Sequence, residues 1–195
     1  AVGNDRAQHQ KVVDIEDVLA SRMIADPLTL LQCCSIADAA AAAVVGRERP
    51  GERDVAVRSS ALRSGKLWDS RSPYVWGWEI VNATANQAYA DAGVKPTDID
   101  VFEVHDAFTI GEIVTIEGLG LAPLGEGAAL TEAGHTTIGG PQPVNPSGGL
   151  LSRGHPLGAT GLAQVAEIVW QRRGTAGSRQ VDNARLGVVE TMGGG

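Results

Sequence analysis

Two histidines set among tight-turn residues carry the chemistry that this sequence offers. His155 lies within Gly154-His155-Pro156-Leu157-Gly158-Ala159-Thr160-Gly161, just before an apolar-periodic stretch from Leu162 to Trp170. Glycine and proline at that density fix a tight backbone that brings main chain close to a ligand. The ring therefore sits at the mouth of a helix, where acid–base chemistry and anion binding are both favoured. His105 lies within Glu103-Val104-His105-Asp106-Ala107-Phe108, where an apolar run ends. Open α/β sheets place ligand-contacting residues at that end of their strands. Two neutral imidazoles aimed at one point can polarise a carbonyl oxygen, and one of them can act as a base. The backbone N–H groups of Gly193-Gly194-Gly195 add a second candidate nest for an anion. Plainer readings stand beside these. The His155 loop can simply cap a helix, Asp106 can cap the helix that follows it, and Asn145 and Ser147 can be turn formers.

The elements that must position these groups alternate. Gln10 to Leu31 begins polar and turns helix-like, with Ile15, Val18 and Leu19 on one face, Asp14 as the cap and Pro27 as the break. Asp38 to Val45 is an Ala-rich apolar run compatible with a helix followed by a strand, which the sequence alone does not settle. Arg47 to Asp54 holds six charges, a proline and a glycine, which marks a linker. Val55 to Ser59 alternates like a short strand, and Ser64 to Gly77 is a loop holding Trp68, Tyr74 and Trp76. The spacing predicts a helix over Trp78 to Ala92 with Gly93 as its stop, a buried strand over Asp100 to Val104, and a helix over Ala107 to Leu119. A Gly-rich excursion runs from Gly120 to Pro143, followed by the Asn145-Pro146-Ser147-Gly148-Gly149 turn and the His155 loop. A helix over Leu162 to Arg173 and a strand over Leu186 to Val189 close the chain. This is an α/β order, with right-handed crossovers and a covered sheet expected.

Composition sets the outer bounds. With 195 residues, 43% hydrophobic and 20% charged, the chain can bury a core of its own. The net charge of -7, with no recurring basic patch, argues against nucleic acid as the main partner. No apolar run reaches the length of a bilayer span. Cys33 and Cys34 are adjacent, so they form neither a disulfide framework nor a spaced metal motif; no metal site is expected, and a cytoplasmic setting fits. The chain opens without methionine and stops at a Gly-rich turn that normally leads to a further strand. It reads as part of a longer polypeptide whose last strand is missing.

The motifs, taken in order, resemble the C-terminal half of the thiolase superfamily. The match runs through His105-Asp106-Ala107-Phe108, Asn145-Pro146-Ser147-Gly148-Gly149, the Gly154–Gly161 string and the closing glycines. It extends back to Glu16–Arg22 and Asp26–Leu31. Thr137-Ile138-Gly139-Gly140 and Gly118-Leu119-Gly120 make it most similar to archaeal and sterol-carrier-type members. The resemblance implies an αβαβα fold, with residues 1–53 as the end of the N-terminal domain and linker and 54–195 as the C-terminal domain. It implies Claisen condensation or thiolytic cleavage of 3-ketoacyl-CoA, by way of a nucleophilic cysteine outside this chain. His155 would activate that cysteine and donate to the thioester oxygen, His105 would complete the oxyanion hole, and Gly193 N–H would serve a second one. Cys34, Asn145 and Gly154 fall on the CoA-binding side. Coenzyme A is the implied substrate, with no covalently bound cofactor. The implied assembly is a homodimer or tetramer, and archaeal-type relatives extend the partner set to a small OB-fold protein.

Three departures mark this chain. No nucleophile is present: Cys33-Cys34 has no Gly-rich elbow and reads as small buried packing. The positions where thiolases carry an acid–base cysteine hold Ala107 and Thr191. The strand after the Gly turn is absent. A non-thiolytic retro-aldolase or acyltransferase acting on a steroid or other acyl-CoA is therefore the second expectation, with Glu190 or Thr191 as weak proton carriers. A non-catalytic acyl-CoA-binding or lipid-carrier subunit is the third.

Overall fold

The computed structural model describes residues 2–47, 54–64 and 77–193. The expected loop tryptophans Trp68 and Trp76, the centre of the 47–54 linker, Gly194 and Gly195 lie outside the described residues. The domain boundary expected at 53/54 falls at the edge of that linker.

Near the start, Asp14 caps helix α1 (Ile15–Ala20), its Oδ1 accepting from Asp17 N–H at 2.9 Å. The face expected to be buried is open instead: Ile15 is 74% exposed and Leu19 64%. Strands β1 (Met23–Ala25) and β2 (Leu28–Thr29) pair antiparallel around Pro27. Residues 38–45 form neither a helix nor a strand, and Val44 and Val45 stand in solvent. Val55 to Ser59 is likewise irregular. Alternating apolar residues make a strand only where a neighbour supplies hydrogen bonds.

From residue 78 onward the chain follows its pattern. Helix α2 (Trp78–Ala92) ends at Gly93, whose φ of +66° suits the left-handed cap that a residue with a Cβ would resist. Strand β3 (Val101–Glu103) pairs in parallel with β4 (Gly187–Val189), in the register 101↔187, 102↔188, 103↔189. On its other edge Phe102 bridges Val144, also in parallel. Successive β3 side chains face opposite ways. Phe102, with Val104 beyond it, enters a cluster with Val81, Ala85 and Tyr89 of α2 and with Ile116 of helix α3 (Thr109–Gly118). Val101 packs with Val181, Ala184 and Ile168 of helix α6 (Thr160–Arg173). The strand is therefore covered on both faces, as parallel strands require. The Gly120–Pro143 excursion holds one short helix, α4 (Gly127–Glu132). A further five-residue helix, α5 (Gly149–Arg153), stands between the Asn145 turn and His155.

Candidate active site

His105 emerges two residues past the end of β3, and His155 follows α5. The loops converge: the ring centroids lie 5.0 Å apart and the planes meet at 90°. Each histidine is only 8% exposed. Burial, then the neighbouring His155, lowers the His105 pKa to about 4. Burial, then Arg153, also lowers that of His155. At neutral pH both rings are uncharged, and each can donate one N–H while accepting at the other nitrogen. His155 Nδ1 lies 2.8 Å from Thr160 Oγ1. That hydroxyl also donates to Pro156 C=O at 3.1 Å, so its lone pairs face the ring and Nδ1 carries the proton. His155 Nε2 is left as the base.

Carboxylates tie the two loops together. Asp106 accepts from the N–H groups of Leu150 (2.6 Å) and Leu151 (3.3 Å), so it caps α5 and not the helix that directly follows it. Gly149 makes this approach possible. Its φ is +58°, and a Cβ there would fall onto the Asp106 carboxylate. Glu103 accepts from Ser147 N–H (3.0 Å) and Ser147 Oγ (2.7 Å), with Arg153 Nη1 at 3.5 Å. Burial pushes Glu103 up to about 7 against the pull of Arg153 and Ser147. Burial, then Glu112, raises Asp106 well above the ordinary range, and burial raises Glu112 itself. Glu112 accepts from Asn145 Nδ2 at 3.0 Å.

A third support comes from the N-terminal arm. Cys34 N–H donates to Ala107 C=O at 2.9 Å, and Cys33 bridges Phe108. Directly beyond, His155 N–H donates to Ser35 C=O at 2.8 Å and Ala37 N–H to His155 C=O at 3.4 Å. The 33–37 segment thus lies across both histidine loops. Cys33 and Cys34 are partly exposed there rather than buried in a core. Burial, then Asp106 and Cys33, raises the Cys34 thiol, the opposite of what an activated nucleophile needs.

Of the remaining sequence candidates, Asn145 adopts φ +51° and spends both ends of its amide inside the protein, on Val104 N–H (2.8 Å) and Glu112. Gly154 has φ +102°, and a Cβ on it would lie 2.8 Å from Gln8 Oε1. Gly193 is exposed, two residues beyond Thr191, whose Oγ1 is 3.5 Å from His105 Nδ1. Sequence reasoning missed the braces Glu103, Glu112, Arg153 and Thr160. Glu103 and Thr160 are polar residues at otherwise buried positions and Glu112 is a half-buried one, the one signal that pointed to them. Among the described residues, no cluster of three or more His, Cys, Asp or Glu could hold a metal ion, and no helix is long and apolar enough to cross a membrane.

A parallel α/β layer with paired histidines on glycine-rich loops is the arrangement of a thiolase-type half-domain. The family model described as "Thiolase C-terminal domain-like" matches residues 70–195, and the chain belongs to that family. It is 47% identical over 200 residues to an acetyl-CoA acetyltransferase of Methanothermobacter thermautotrophicus, covering 100% of this chain and 52% of that protein. It is 43% identical over 204 residues to sterol carrier protein 2 of Oryctolagus cuniculus, covering 99% of this chain and 37% of that protein. A solved chain of an Ltp2-ChsH2(DUF35) aldolase superposes with a TM-score of 0.80 at 26% identity, over 97% of this chain and 51% of that one. The chain thus spans about half, or less, of the relatives it matches.

Proposed function

We propose that this chain supplies the C-terminal catalytic half of a thiolase-type acyl-CoA enzyme, making or cleaving 3-ketoacyl-CoA with a cysteine nucleophile carried outside residues 1–195. The observation that carries the reading is the pair of neutral, buried imidazoles in edge-to-face contact at 5.0 Å. In cleavage, His155 Nε2 accepts the thiol proton as sulfur bonds to the 3-keto carbon. Its tetrahedral oxyanion is held in part by Gly193 N–H. The bond between C2 and C3 then breaks, and the electron pair moves into the thioester as an enolate. Protonated His155 and His105 donate to that enolate oxygen, and the thiol proton held on His155 passes to C2, releasing acetyl-CoA; the acyl group left on the cysteine then transfers to the thiol of a second CoA, whose proton returns to the cysteine. Each preorganised donor in such a site contributes roughly 3 kcal/mol to transition-state stabilisation. The carried-over CoA side comprises Cys34, Asn145 and Gly154; Cys34 and Asn145 are half-buried and Gly154 is buried. Residues 1–53 belong in this reading to the end of the N-terminal domain, the assembly is a homodimer or tetramer in the cytoplasm, and a small OB-fold protein is a candidate partner.

A second reading, retro-aldol cleavage of a β-hydroxyacyl-CoA, is favoured by one specific feature. Ala107 and Thr191 occupy the two positions where the family's acid–base cysteine would stand. The structural neighbour named as an Ltp2-ChsH2(DUF35) aldolase supports it, and its paired name supports a partner subunit. The test is an assay of a protein carrying this chain together with the N-terminal half of the fold. CoA-dependent cleavage of a 3-ketoacyl-CoA to two thioesters is the expected result. Release of an aldehyde or ketone from a β-hydroxyacyl-CoA, with no thiolysis, would replace the first reading by the second. CoA binding without either reaction would leave only a carrier role.

A further inference from the structure

Along a parallel pair of strands, hydrogen bonds are evenly spaced, and each residue facing the neighbour both donates and accepts. The β3–β4 pair follows this rule up to Glu190, whose N–H donates to Glu103 C=O at 2.8 Å. The next rung would run from His105 N–H to the backbone C=O of Glu190. It does not form. His105 N–H donates instead to the side-chain Oε2 of Glu190 at 2.9 Å. The displaced Glu190 C=O accepts from Gln164 Nε2 at 3.1 Å. Gln164 is fully buried on α6, and its own Oε1 has no partner among the described residues.

The same exchange occurs on the opposite edge of β3. Asn145 N–H donates to Phe102 C=O at 2.8 Å. The next rung would join Val104 N–H to Asn145 C=O. Val104 N–H bonds Asn145 Oδ1 instead, at 2.8 Å, and the displaced carbonyl accepts from Gly148 N–H at 2.8 Å. Two consecutive donors, Val104 and His105, are thus met by side-chain oxygens from the two flanking chains. Both flanking chains are then free to leave the sheet at once, one into the turn before α5 and the other into Thr191-Met192-Gly193. No buried N–H is left unpaired by their departure.

We propose that Glu190 and Asn145 are positioning residues that end the sheet around His105, each lending a side-chain oxygen in place of its own backbone carbonyl, so that the strands part where the two imidazoles meet. A backbone rung at this point would instead continue the parallel pairing past His105. The catalytic meaning of this placement rests on the two-imidazole reading above; the exchange of hydrogen bonds does not.

The test is amide hydrogen exchange, followed residue by residue by NMR. In Glu190→Ala the His105 amide exchanges at least about tenfold faster than in the native protein, as expected when a buried donor loses its acceptor. Glu190→Gln keeps a carbonyl oxygen in the same place and brings the rate back to within about threefold of native. Val104 keeps its native rate in both variants. Asn145→Ala gives the mirror image, with Val104 accelerated and His105 unchanged. Should Glu190→Ala fail to fold, Glu190→Asp shortens the reach by one methylene and gives the same acceleration at His105 alone. A native His105 rate in Glu190→Ala or Glu190→Asp, or a Glu190→Gln rate as fast as that of Glu190→Ala, overturns the assignment. If the exchange pattern holds while no thioester chemistry is found, the positioning role stands and the proposed function falls.

Discussion

The two histidines are equally buried, yet they are held by different parts of the chain. His105 is fixed from within the C-terminal body: its N–H is bonded to Glu190, Asp106 beside it grips α5, and Glu103 two residues back grips Ser147. His155 leans on Thr160 at one side and on the Ser35–Ala37 arm at the other. That arm lies at the surface, with Ile36 77% exposed between the half-buried Ser35 and Ala37, whereas Val101 to Val104 are all but sealed. One ring is thus placed by a buried scaffold and the other by a surface strap. The lesson is that the arm bonds the backbone of His155 itself, whereas it meets the His105 loop only further on, at Ala107 and Phe108.

The largest effect should come from breaking what the two loops share. Gly149→Ala drives a Cβ into the Asp106 carboxylate at a φ of +58°. A loss of about 3 kcal/mol or more is expected in denaturant unfolding, with both histidine signals displaced. Displacement of His155 alone would show that Asp106 does not couple the loops.

Next is the pH dependence of stability. Glu190, like Glu103, has a folded pKa raised by burial from 4.5 to about 7. The folded state therefore holds more protons than the unfolded state between these values, and stability falls as pH rises through that window. His105 acts in the opposite sense, because its folded value of about 4 lies below its ordinary 6.5. Comparing Glu190→Gln with the native protein removes the shared contributions. The variant should gain relative stability between pH 4.5 and 7, by at most about 3 kcal/mol, and nothing above pH 8. A flat difference would mean that the Glu190 carboxyl is not buried as described.

Two smaller changes separate the supports of His155. Thr160→Val removes the partner of Nδ1 and should cost about 1 kcal/mol of stability and roughly tenfold in turnover, with His105 resonances unmoved. Ala37→Pro removes one N–H at the arm, from a 3.4 Å bond. It should shift His155 resonances measurably while unfolding midpoints change by less than about 0.5 kcal/mol. Movement of His105 in either variant would erase the distinction between scaffold and strap.

The scaffold was far more legible in the sequence than the strap. The bounds of α2, the strand at 101–103 and the helix ending at Arg173 followed from apolar spacing and glycine stops, although that last helix fully buries Gln164, Glu167 and Gln171 and leaves its apolar residues half-buried or exposed. The arm carries the same signals without the burial. The α1 helix forms with its Asp14 cap, but its apolar face stays open, and 38–45 and 55–59 form no element. The two histidines and their loops were readable as a local pattern of Gly, Pro and His. Their braces were not. Asp106 looks like a cap for the helix at its own C-terminal side, but it serves one that begins more than forty residues later. Glu190 and Asn145 reach His105 and Val104 across separations of 85 and 41 residues, which no local spacing reports.

The central claim is that two uncharged imidazoles share one target point. It is tested most directly by a pH titration of 15N-labelled histidine side chains, combined with ring-to-ring nuclear Overhauser contacts. The expected result is a contact between the His105 and His155 rings, both neutral at pH 7, with His105 titrating near pH 4 and His155 carrying its proton on Nδ1. An imidazolium at either position at pH 7, or two rings without mutual contact, would contradict it.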